Sequence, residues 1–213
     1  MFNLVKKDFL LVKKYLALTV VLAFGIPLFV AWQAPGMMGF AVFLITVIFT
    51  VYIPLQSVSL AEAKYPKATA LLCTAPYRRS AVVKARYVFF LIIFIFCCLA
   101  YAILSLLAPQ MEMLSTMDVV ITFLIFSIVF GIYIPLQYKF GFEKTKYLLM
   151  VLLFATSFLM PSIVKMFAHT NINLDIFTGL PLPVRYAALI TVILIVISIS
   201  LTASIKTFQA KAL

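Results

Sequence analysis

Apolar residues run through this chain in long unbroken stretches separated by short polar clusters. Six stretches stand out, 15–34, 37–60, 87–108, 119–138, 147–167 and 186–205. Each is close to the ~20 residues that a helix needs to cross a hydrocarbon core of about 30 Å. Transmembrane β-strands would instead alternate with period two. The pattern therefore predicts an all-α integral membrane protein with six transmembrane helices.

The polar intervals organise these spans. Residues 1–14 place Lys6, Lys7, Lys13 and Lys14 at a seven-residue repeat, while Phe2, Val5, Phe9 and Val12 share the opposite face. This reads as a short amphipathic helix lying in the membrane interface, or as a basic flank that only fixes topology. WQAPGMMG and APQMEMLSTMD are tight connections, with Pro35, Gly36 and Gly39 punctuating the first. Residues 61–86 form the longest polar interval after the second span and predict an elbow of helix, turn and basic foot, opened at Pro66 and closed at Pro76. Residues 160–185 make the sizeable external segment, where Pro161, Pro181 and Pro183 among apolar residues suggest interfacial or re-entrant pieces.

One pentapeptide occurs twice. YIPLQ fills 52–56 and 133–137, with Phe49 and Phe130 three residues before the tyrosines and Glu62 and Glu143 six residues after the glutamines. Each copy lies near the end of a span running in the same direction, an arrangement open to either duplication or convergence. The proline removes a backbone donor and can kink its helix. The nearby glutamine is then a candidate to satisfy the freed carbonyl.

Composition removes the soluble alternatives. The chain is 66% hydrophobic and 11% charged, with a mean hydropathy of +1.20, against about 25% charged residues in soluble domains. The net charge of +11 would suit nucleic acid, but 15 of the 17 basic residues fall on one side of a six-span arrangement, all except Lys165 and Arg185. By the positive-inside rule that side is cytoplasmic. Both termini are then inside a multi-pass cell membrane protein, and no nucleic-acid partner is called for. The first apolar run is too long, and AWQAPG too poor a cleavage site, for a signal peptide.

The chemistry inventory is thin. His169 is the single histidine, too few for a histidine metal site. Cys73, Cys97 and Cys98 make no disulfide framework and read as packing residues. No P-loop pattern is present, and the spans hold almost no ionisable residue away from their ends, so neither ATP hydrolysis by that route nor an ion pathway is expected.

The run LLCTAPYRRSAVVKARY after Glu62 and Lys64, together with IPLQYKFGFEKTKY, resembles the cytoplasmic loops of small bacterial ABC transporter permeases of the type-2 (ABC-2) exporter class. Ala75 departs from the leucine expected before the proline. The resemblance implies a single permease domain over 1–213 that is not an enzyme and holds no cofactor. ATP would be bound by a separate cytoplasmic ATP-binding subunit, and a second permease chain, identical or similar, would complete the transporter. It assigns ATPase coupling to Glu62, Lys64, Pro66, Pro76, Arg78, Arg79 and Lys84, with Glu143 and Lys144 as a second contact. Charges there add steering and register to an interface, though anchoring to anionic lipid would use the same arginines. The cargo expected is hydrophobic or amphipathic, such as a peptide, antibiotic or lipid. Two other classes stay open: a six-span ligand-binding component of a solute uptake system, and a non-transporting membrane immunity or scaffold protein.

Overall fold

The computed structural model describes residues 2–33, 39–65, 79–107, 111, 113–148, 150, 151, 154 and 181–210. Every regular element among them is helical. In chain order these are α1 (Phe2–Leu11), α2 (Lys13–Gln33), α3 (Phe40–Lys64), α4 (Arg79–Leu107), α5 (Thr116–Phe140), α6 (142–148) and α7 (Leu182–Ala210). Five of them, α2, α3, α4, α5 and α7, are long and apolar enough to cross a membrane. The sixth expected span, 147–167, lies mostly outside the described residues, as do most of the external segment and residues 66–78 of the elbow.

Local chemistry sets the boundaries. α5 begins at a capping box, in which Met117 N–H donates to Ser115 Oγ and Ser115 N–H donates to Asp118, both at 3.1 Å. It ends at Gly141, whose φ of 81° with ψ of 171° is a backbone state essentially confined to glycine, costing other residues about 1–3 kcal/mol. α1 and α2 are separated only by a turn at Val12, across which Leu16 N–H still reaches the Val12 carbonyl at 3.0 Å. The foot expected before the third span is helical from Arg79 onward, so α4 starts eight residues earlier than the apolar stretch alone marks. Likewise α7 begins at Leu182, inside the interval read as external.

The bundle is built around α3 and α4. Val47, Val51, Leu55 and Val58 of α3 are buried, as are Phe89, Ile93, Cys97 and Tyr101 of α4. A ladder of rings joins α4 to α5: Phe90 stacks on Phe130 at 5.8 Å, Phe94 meets Phe126 at 5.4 Å, and Phe126 meets Phe130 at 4.6 Å. Such pairs add about 0.5–1.5 kcal/mol each beyond the area they bury. α7 packs chiefly on α5, and α2 on α3. The outer faces of α2 and α7 keep Val21, Phe29, Leu194 and Ile199 exposed, as suits surfaces that meet lipid tails or another apolar protein.

Candidate functional site: a buried charge cluster at the basic end

The helices bring Lys7 of α1, Glu62 of α3, Arg86 of α4 and Tyr138 of α5 to one end of the bundle, the end that also carries most of the lysines. Arg86 is 3% exposed. Its Nη2 donates to Glu62 Oε1 at 2.5 Å, and its guanidinium lies over the Tyr138 ring at 5.8 Å. Lys7 Nζ sits 3.1 Å from Asp8 and 3.9 Å from Glu62. Asp8 is as buried as Arg86. Two acids and two bases thus balance here: Arg86 and Asp8 are shut off from water, where an unpaired charge would cost several kcal/mol, while Lys7 and Glu62 keep partial exposure.

Helical spacing explains why these charges are inside. Arg86 lies on the stripe that buries Val82, Val83, Phe89, Phe90 and Ile93, and Asp8 lies between Val5 and Val12 on the buried face of α1. That face matches the expected apolar side of the amphipathic helix: Val5 and Val12 are buried, and Phe9 meets Phe89 edge-on at 4.8 Å. Neither Arg86 nor Asp8 stood out as a site residue in the sequence. The signal was there, a charged residue at i+4 or i+3 from apolar positions of one stripe.

Beside this cluster a polar knot joins three helices. Ser200 Oγ of α7 donates to the Gly131 carbonyl at 2.6 Å, and Tyr87 OH of α4 lies 2.5 Å from Ser200 Oγ and 3.0 Å from Ser204 Oγ. Ser200 has one proton and gives it to the carbonyl, so Tyr87 donates to Ser200 and Ser204 donates to Tyr87. Gly131 is the residue four before Pro135, whose ring leaves that carbonyl without its helical donor. The freed carbonyl is therefore satisfied by a serine from a distant helix, not by Gln137 as the sequence suggested. The approach is close: a β-carbon at Gly131 would lie 3.4 Å from the Ser200 side chain, in ordinary contact with it.

The expected coupling residues divide into three groups. Glu62 is turned into the cluster and committed to Arg86. Lys64, Lys84, Glu143 and Lys144 are exposed, and Glu143 is held by Lys146 at 2.8 Å, which raises the Lys146 ammonium above its ordinary pKa. Pro66, Pro76 and Arg78 lie outside the described residues, and Arg79 is described only as the first residue of α4. Among the described residues no group of three His, Cys, Asp or Glu side chains could hold a metal ion.

A bundle of long apolar helices with its charges gathered at one end defines a multi-pass membrane protein. This chain belongs to the ABC-2 family of transporter membrane proteins: the family model described as ABC-2 family transporter protein matches residues 3–209. Comparison with curated proteins and with solved structures finds no match.

Proposed function

We propose that this chain is the permease subunit of an ATP-driven exporter, energised by a separate cytoplasmic ATP-binding subunit and paired with a second permease chain, identical or similar. The basic end then faces the cytoplasm. The observation that carries this reading is the placement of Lys64 and Lys84. They stand exposed on the two helices that flank 65–78, and an ion pair between the buried Arg86 and Glu62 holds those helices together. A partner that presses on one flank presses on both. Coupling is assigned to Lys64, Lys84, Glu143 and Lys144 as contact residues, with Pro66, Pro76 and Arg78 on the intervening segment, Arg79 at the start of α4, and Glu62 as the residue that fixes the base.

An apolar groove supports a hydrophobic or amphipathic cargo. It runs between α4 and α7 over α5 and is lined by Leu91, Phe94, Phe123, Ile193, Leu194 and Ile197. It offers such a molecule dispersion contacts and no charge to desolvate.

Affinity purification of the full chain from its native membrane should bring down an ATP-binding subunit. Lys64→Glu with Lys84→Glu should weaken that association by about tenfold through reversed steering and contact charge, with membrane insertion intact. Undiminished association in the double variant would remove these lysines from the contact. An absence of any ATP-binding subunit with the native chain would overturn the exporter reading.

A further inference from the structure

Arg86 uses only part of its donor fork. Nη2 is given to Glu62, while Nη1 is buried and has no hydrogen-bond partner among the described residues. On α1, which packs against α4, Asp8 Oδ1 is equally buried and likewise makes no hydrogen bond, its nearest described cation being Lys7. A spare cationic donor on α4 and, on the touching helix α1, a buried carboxylate that among the described residues is ion-paired only with Lys7, at 3.1 Å, thus sit in the same cluster. An apolar pair at these positions would serve stability as well as the charges do. A directional ionic contact instead specifies which helix end goes with which.

We propose that Arg86 is a positioning residue that clasps three helices: it holds the basic end of α3 through Glu62 and keeps its second arm for Asp8, so that α1 moves with the ends of α3 and α4. Lys7, Glu62 and the Tyr138 ring are the other groups facing this clasp. The functional consequence rests on the permease reading. Force applied between Lys64 and Lys84 would reach α1, whose exposed Leu10 and Leu11 point away from the bundle, and would shift the helix that leads into α2.

The test uses the full chain in lipid nanodiscs, with Cys73, Cys97 and Cys98 replaced by serine and spin labels on Lys6→Cys and Lys84→Cys, positions that are exposed on α1 and α4. Asp8→Asn keeps the shape of the side chain, removes its charge and turns one acceptor oxygen into an N–H donor. It should broaden the α1–α4 distance distribution about twofold, as should Arg86→Met combined with Glu62→Leu, which replaces the ion pair by apolar bulk. Asp8→Glu should restore the narrow distribution. A control pair at Lys139→Cys and Lys206→Cys, on α5 and α7, should stay unchanged. Unchanged α1–α4 width in Asp8→Asn overturns the clasp even if the double variant does not fold, and equal broadening in the control pair overturns it in favour of general loosening. Both results are read without nucleotide or partner. Failure of an ATP-binding subunit to associate therefore counts against the exporter reading alone.

Discussion

The two YIPLQ copies share every letter and bury opposite faces. In α3 the proline and leucine, Pro54 and Leu55, are inside while Tyr52, Ile53 and Gln56 are only partly covered. In α5 it is Tyr133, Ile134 and Gln137 that are inside, with Pro135 and Leu136 partly covered. The paths then diverge. α3 continues as one helix through Glu62 to Lys64 and delivers that carboxylate to Arg86. α5 stops at Gly141, so Glu143 falls on α6 and projects with its side chain 74% exposed. Identical residues at identical spacing therefore do different jobs, because neighbours decide which side of a helix is inside and a single glycine decides whether the helix reaches the next charge.

That contrast can be broken from several sides. The largest effect expected is from the tyrosines. Tyr133 is fully buried, its hydroxyl facing Ser59 and Thr145, so Tyr133→Ala should cost about 3 kcal/mol through the cavity it leaves. Tyr52→Ala should cost about 1 kcal/mol or less. Unfolding titrations in bicelles would show this, and equal losses would mean the copies are equivalent after all.

Next come the glutamates. Glu62→Gln leaves Arg86 buried beside a neutral partner and should destabilise by about 2 kcal/mol, less than a fully buried pair because Glu62 is partly solvated. Glu143→Gln should stay within about 0.5 kcal/mol, as for an exposed i,i+3 pair. The same titrations measure both, and a large loss at Glu143 would place it in a contact of its own.

Gly141→Ala should cost about 1.5 kcal/mol, for its positive φ alone, since open space surrounds it. A change without cost would show that α5 can run on into α6 as α3 runs on to Glu62.

The smallest effect tests the prolines. Ser200→Ala should lose about 1 kcal/mol. The loss should be smaller in a Pro135→Ala background, where the backbone N–H restored at position 135 can bond the Gly131 carbonyl. A double-mutant cycle returns that coupling; strict additivity would mean that Ser200 does not act on the carbonyl Pro135 frees.

Much of this architecture was legible in the linear pattern. Apolar runs of bilayer length located α2, α3, α4, α5 and α7 to within a few residues at most ends. The heptad of lysines marked α1 as two-faced. α4 was the instructive exception, since hydropathy marks where a span begins and hydrogen bonding marks where its helix begins. Residues 79–86 are polar enough to fail the first criterion and meet the second. Of the site, Glu62 was found by its place after the repeat, whereas Arg86 and Asp8 were passed over as part of a basic flank.

Linear pattern thus specifies what the solvent requires of each segment, because lipid demands about 20 apolar residues with every backbone bond satisfied inside the helix. It leaves open which face of each span turns inward, because all faces are apolar and lipid does not distinguish them. Packing makes that choice. It turned Tyr133 in and left Tyr52 at the margin, sent Ser200 to the carbonyl freed by Pro135, and put Arg86 between Glu62 and the Tyr138 ring. Contacts of this kind join residues as far as 117 positions apart, as Tyr87 and Ser204 are, and no local spacing encodes them.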